Sequence, residues 1–165
     1  AKATFLSPVW DERDRGLYEE EVYLKQFQEL DPQDAEDIEK VIKGSGQTIR
    51  KRPYADTWVK YLKSKGYHVY ILSNYSSYML DHTKKELTFR REMDGEVFSC
   101  YANQLKPDAE IYQIILNKYQ LKPEECVFID DRPENCRGAQ EQGIHTICFK
   151  DFKQVTADLE KLGVK

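Results

Sequence analysis

The sequence predicts an α/β fold of the doubly wound kind: a mostly parallel, Rossmann-like sheet with helices on both faces, beside a small helical layer. Three observations carry this. Cys126-Val-Phe-Ile129 is a wholly apolar run rich in β-branched and aromatic types, the pattern of a strand buried on both faces of a parallel sheet. From Tyr54 onward, short apolar runs alternate with stretches of helical period, which implies right-handed crossovers between parallel strands. Before about Arg52 no run reads as a strand. The chain therefore divides into a helical part, residues 1–52, and an α/β part, residues 53–165.

Composition sets the outer bounds. A chain of 165 residues with 40% apolar and 33% charged residues forms about one globular domain with a sizeable core. A net charge of −4 weighs against a nucleic-acid surface. No apolar run approaches the roughly 20 residues a membrane span needs, and no basic-then-apolar leader is present. Cys100, Cys126, Cys136 and Cys148 show neither a Cys-x-x-Cys pairing nor His spacing for zinc. Cys126 and Cys148 fall in predicted strands, where free Cys behaves as a small hydrophobe. The expectation is a protein of the reducing cytoplasm without structural metal, nucleic-acid partner or membrane contact.

Taken in order, Trp10 to Gly16 is a short helical turn closed by Gly16. Leu17 to Leu30 sets Val22, Tyr23, Phe27 and Leu30 at helical spacing, with Glu19, Glu20 and Glu21 where the helix dipole favours acids. Asp31-Pro32 stops one helix and restarts another, which runs to about Ile42 and ends at Gly44-Ser-Gly46. Arg50-Lys51-Arg52 reads as a solvated hinge. Tyr54 to Lys65 is a helix with Trp58, Tyr61 and Leu62 on one face and Gly66 as its stop. Tyr67 to Leu72 is a strand with His68 at its amino end, a structural position; His82 and His145 are incidental. Ser77 to Glu86 is a helix, Met93-Asp94-Gly95 a turn, and Val97 to Cys100 a strand. A helix follows from Asp108 to Tyr119. The Cys126–Ile129 strand leads into a helix over Glu134 to Gln142, His145 to Phe149 is the last strand, and Phe152 to Leu162 the last helix.

Ligands of open α/β sheets bind outside the carboxyl ends of the strands. Three groups are predicted there: Ser73-Asn74, Lys106, and the adjacent carboxylates Asp130-Asp131. An isolated Asp-Asp pair commonly caps a helix. Side by side, however, the two carboxylates repel unless a cation relieves them, and hard oxygen ligands suit Mg²⁺. A hydroxyl with backbone N–H groups, an ammonium and a metal-binding carboxylate pair together form a cradle for phosphate.

These residues also carry a resemblance. Ile71-Leu-Ser-Asn74, Leu105-Lys-Pro-Asp-Ala-Glu-Ile-Tyr112 and Val127-Phe-Ile-Asp-Asp-Arg-Pro-Glu-Asn135 resemble the second, third and fourth motifs of the haloacid dehalogenase (HAD) superfamily. The phosphatase-like branch that includes the N-terminal domain of soluble epoxide hydrolases is the nearest. The resemblance covers Tyr54 to Phe149, and residues 1–52 look similar to the helical cap of such proteins. It implies that Ser73, Asn74 and Lys106 bind substrate, with Ser73 and Lys106 acting on the transferring phosphoryl group. It further implies that Asp131 ligates Mg²⁺ directly and that Asp130 and Asn135 support the metal and its waters. The family's first motif, a strand ending in Asp-x-Asp that carries the nucleophile, has no counterpart here. Asp11 and Asp14 lie on a polar helical stretch rather than at the end of an apolar strand. That strand is central to the family's sheet, so the expectation is a fragment of a longer protein or completion by strand exchange with a second copy.

The function implied for the parent is Mg²⁺-dependent hydrolysis of a small phosphorylated metabolite through an aspartyl-phosphate, with these residues alone inactive. A non-catalytic phosphate- or partner-binding module of the same fold is the alternative. A haloacid dehalogenase fits less well, because those relatives need no Mg²⁺. A receiver-type regulator is disfavoured because its acidic pair precedes the lysine.

Overall fold

The computed structural model describes residues 2–164. Its first three helices, α1 (Pro8–Arg15), α2 (Glu20–Leu30) and α3 (Ala35–Gly44), pack around a core of their own made by Tyr23, Phe27, Ile38 and Ile42. Those four are spaced so that one face of α2 meets one face of α3. Val22 and Leu30, predicted on the apolar face of α2, are 42% and 50% exposed, because two positions per helix suffice for so thin a layer.

Helix α1 ends at Gly16, whose φ of 73° is the left-handed conformation of a helix stop. A Cβ at Gly16 would sit 2.7 Å from the Cys100 Cα, so the helix end is pressed onto the backbone of α6 (Ser99–Ala102). Ser99 Oγ donates to the Asp14 carbonyl at 2.5 Å, and Asn103 Nδ2 donates to the Arg15 carbonyl at 3.0 Å.

Beyond α4 (Ala55–Ser64), parallel pairs replace helical hairpins. β1 (Tyr70–Ser73) pairs with β2 (Gly95–Phe98), and β3 (Val127–Asp130) pairs with β4 (His145–Cys148). The remaining helices are α5 (Ser77–His82), α7 (Ala109–Lys118), α8 (Pro133–Glu141) and α9 (Phe152–Lys161). Several boundaries differ from the sequence-based expectation. β1 begins at Tyr70 because the Tyr67 amide still closes α4 on the Leu62 carbonyl at 3.2 Å. β2 begins inside the predicted turn, since Gly95 makes room for the Tyr119 ring, and Ser99 and Cys100 belong to a helix instead. On α4 the buried residue is Val59, while Tyr61 is exposed.

The sheet is interrupted where the resemblance places a central strand that has no counterpart in this sequence: among the described residues it forms two separate parallel pairs, in the orders β1-β2 and β3-β4. Between β1 and β3 lies a cleft of about 530 Å³, lined by Tyr70 and Leu72 on one side, Val127 and Ile129 on the other, and Leu62 and Ile115 from the flanking helices. No residue of β1 or β3 is fully buried, in contrast to the two-faced burial expected of Cys126–Ile129. Each strand has a ladder partner on one edge only, and its apolar side chains border the open cleft.

Candidate active site

The carboxyl ends of β1 and β3 converge on Lys106. The ammonium donates to the Leu72 carbonyl of β1 at 3.0 Å and to Asp130 Oδ2 at the end of β3 at 2.6 Å, and lies 5.3 Å from the Phe128 ring centroid. It thus spans the mouth of the cleft. Lys106 and Asp130 side chains are 7% and 8% exposed, so their charges answer each other in a place where an unpaired charge is expensive.

Sequence neighbours hold the lysine in place. The Lys106 amide donates to Asn74 Oδ1 at 2.8 Å, and Asn74 Nδ2 donates back to the Lys106 carbonyl at 2.9 Å. Asn74, expected among the substrate-binding residues, thus has its amide engaged in fixing the Lys106 backbone. From the other side, α8 closes on the cis Lys106-Pro107 segment at Gly138, where a Cβ would collide with the Pro107 carbonyl oxygen.

Asp130 is answered on both oxygens. Oδ1 accepts from the Arg132 amide at 2.9 Å and from Asn135 Nδ2 at 2.9 Å, while Oδ2 is on the lysine. Asn135 is 2% exposed and its backbone carbonyl accepts from the Tyr112 hydroxyl at 2.7 Å. Its Oδ1 is buried without a partner among the described residues. Asp131 is exposed and no described residue bonds its carboxylate. Ser73 ends β1, its hydroxyl donating only a long 3.4 Å bond to the Asn74 carbonyl. Ser73, Asn74, Asp130, Asp131 and Asn135 thus fall at the carboxyl ends of β1 and β3 and on the segments that follow, and Lys106 reaches them from the segment between α6 and α7. No cluster of three or more His, Cys, Asp or Glu side chains able to hold a metal occurs among the described residues.

The sequence gives no sign of a second buried polar group beside these loops. Ser99 Oγ accepts from the Tyr75 amide at 2.8 Å, tying the segment after Ser73 to α1 through Asp14. Next to it, Arg13 is 1% exposed, forked onto Glu20 at 3.0 and 2.6 Å, with its guanidinium about 5 Å from the Trp10 and Tyr78 rings. Burial pushes the Asp14 carboxyl up to about 7, against the opposing pull of Arg13 and of the Ser76 backbone N–H.

An α/β chain with a lysine bridging two strand ends and an acidic pair at one of them has the layout of a hydrolase of the HAD type. The comparisons agree: residues 7–143 match the haloacid dehalogenase-like hydrolases, and the chain belongs to that family. It is 27% identical over 159 residues to flavin mononucleotide hydrolase 1, a chloroplast protein of Arabidopsis thaliana, covering 94% of this chain and 62% of that one. Bifunctional epoxide hydrolase 2 of Rattus norvegicus is 30% identical over 107 residues, covering 61% of this chain and 19% of the relative. The chain thus spans less than two thirds of these relatives. The fold is shared with a HAD-family enzyme of Bacteroides thetaiotaomicron solved with magnesium and inorganic phosphate: TM-score 0.74, 21% identity, 93% of this chain and 82% of that one. No helix among the described residues is long and apolar enough to cross a membrane.

Proposed function

We propose that the protein to which these residues belong is a Mg²⁺-dependent phosphatase acting on a small phosphomonoester. The observation that carries the reading is Lys106 spanning Leu72 and Asp130 at the strand ends. An ammonium has three protons, and two are engaged there, so the third is left for an incoming anion. Ser73 and the amides after it would donate to the phosphoryl oxygens, and Lys106 would offset the charge that grows on them.

The donor set fits a magnesium ion, which takes one or two protein carboxylates and keeps several waters. Asp131 is the carboxylate left open for it, and the partnerless Asn135 Oδ1 would accept from a water in its shell. When bound, the ion would neutralise phosphoryl charge as a Lewis acid. The nucleophile would be a carboxylate at the end of a further parallel strand lying in the cleft between β1 and β3, which brings it beside Lys106. Its attack on phosphorus would expel the alcohol and form an aspartyl-phosphate that water cleaves. That strand comes from elsewhere in a longer chain or from a second copy.

Phosphoester chemistry is supported by a sesquiterpene phosphatase of Aspergillus oryzae, 24% identical with 94% of this chain aligned; (S)-2-haloacid dehalogenase 4A of Burkholderia cepacia, 32% identical with 58% aligned, makes halide release the outcome to test against. The test is phosphate release by the full-length protein with and without Mg²⁺. We expect Mg²⁺-dependent turnover, a fall on the order of 100-fold or more in Lys106→Met, and lost Mg²⁺ affinity in Asp131→Ala. The 165 residues alone should release none. Metal-indifferent binding of phosphate without turnover would instead mark a binding module, and halide release a dehalogenase.

A further inference from the structure

Two thiols that the phosphatase reading does not use lie beneath the Asp130-Asp131 turn. Cys148, the last residue of β4, is the ladder partner of Asp130, and neighbouring strands run about 4.8 Å apart. Cys136, in the first turn of α8, donates from Sγ to the Asp130 carbonyl at 3.4 Å. Cys148 Sγ donates to the Asp131 carbonyl at 3.8 Å. The two sulfurs thus sit on successive carbonyls of one turn where α8 packs on β4, and neither is in a disulfide.

Both thiols turn to the backbone carbonyls of the one acidic turn, which brings them together. The arrangement is built wholly from β3, α8 and β4, on the far side of β3 from the cleft, and does not depend on what fills that cleft. Cys136 is 6% exposed and Cys148 is the more accessible of the pair, giving one sulfur to meet an oxidant and a covered one to resolve it.

We propose that Cys136 and Cys148 are a reversible modification site, closing a disulfide by exchange with a small-molecule disulfide such as oxidised glutathione. The Cys148 thiolate, its proton lost to solvent, attacks one sulfur of the oxidant and expels a glutathione thiolate, which takes up a proton. Cys136, giving up its proton in turn, attacks the Cys148 sulfur of the mixed disulfide and expels the second glutathione. The protein loses two protons and two electrons, and one glutathione disulfide becomes two thiols. Closure removes both S–H donors from the Asp130 and Asp131 carbonyls. It also draws the first turn of α8, with the Asn135 amide that holds Asp130, toward β4. On the magnesium reading above, the oxidised form should bind Mg²⁺ several-fold more weakly.

The experiment treats the reduced full-length protein with oxidised glutathione, quenches with N-ethylmaleimide, and reads intact mass and peptide maps. The expected product is lighter by two hydrogens before alkylation, joins the Cys136 and Cys148 peptides, and alkylates at Cys100 and Cys126. In Cys136→Ser the glutathione adduct should persist on Cys148. Alkylation of Cys136 and Cys148 in the treated wild type, or a crosslink through Cys100 or Cys126, overturns the proposal. Magnesium titration of both redox forms separates the two claims. A formed disulfide with unchanged Mg²⁺ affinity, while Asp131→Ala still weakens binding, overturns the coupling to the site. Indifference of Mg²⁺ binding to Asp131→Ala counts against the metal reading and leaves the disulfide standing on its mass.

Discussion

At the scale of single residues, burial separates two carboxylates that look alike in the sequence. Asp130 is held as the partner of Lys106, with its other oxygen on two N–H donors. Asp14 has only the Ser76 backbone N–H and the neighbouring Arg13 to set against its burial, which raises it from 3.8 to about 7; Asp11 and Glu20 add to the rise. The folded state therefore favours the neutral Asp14 carboxyl, whereas the unfolded chain ionises it near its ordinary value. The stability this group contributes is complete below about 3.8, is lost as pH climbs through about 7, and changes no further above. Asp14→Asn cannot ionise. Its melting temperature should gain on the wild type between pH 4 and 7 and hold a constant offset above, a differential of a few kcal/mol at most. Subtracting the two profiles cancels the opposite trend from paired surface acids such as Asp56, whose pKa is lowered by Lys51. Parallel profiles would show that Asp14 does not titrate in this window. Lys106, Asp130 and Asp131 were legible from sequence because each sits at a fixed offset from an apolar run or a helix start. Arg13 and Asp14 were not, because what covers them is distant in sequence: the Tyr78 ring lies against the Arg13 guanidinium, and Ser99, 85 residues from Asp14, bonds the Asp14 carbonyl.

At the scale of elements, apolar runs locate each strand, but their limits depend on neighbours that a run does not encode. β2 reaches back to Gly95 because Tyr119 of the segment after α7 lies over it, and the Tyr119 hydroxyl accepts from the Glu96 amide at 2.8 Å. Gly138 plays the corresponding part for α8. In sequence it is only a weak helix position, costing about 1 kcal/mol relative to Ala. In the fold it lets α8 touch the Pro107 carbonyl and the Tyr112 ring, and so presses the Lys106 segment into place. Gly138→Ala improves helix propensity and yet should destabilise. The atom its Cβ meets is backbone, which cannot swing away, and overpacking of that kind costs about 1–3 kcal/mol or more. Urea unfolding should show a net loss of about 1 kcal/mol or more once the helix-propensity gain is taken off. A stabilised Gly138→Ala would mean that α8 and the Lys106 segment slide apart freely.

At the scale of the whole molecule, the two strand pairs are held together by contacts around the cleft rather than by a ladder across it. Lys106 bridges them at the carboxyl ends, and the helices flanking the cleft supply apolar cover. An open edge on each of two neighbouring strands is a state that native sheets avoid, since unpaired N–H and C=O groups invite other chains. The cleft lies between parallel strands whose registers run the same way, so one further parallel strand would satisfy both edges and bury Tyr70, Leu72, Val127 and Ile129. Amide exchange reads this directly. In these 165 residues alone, the β1 and β3 amides that face the cleft should exchange faster than those bonded to β2 and β4. In a protein carrying the additional strand, both sets should be protected alike. Equal protection without that strand would mean that the two pairs close on each other in solution.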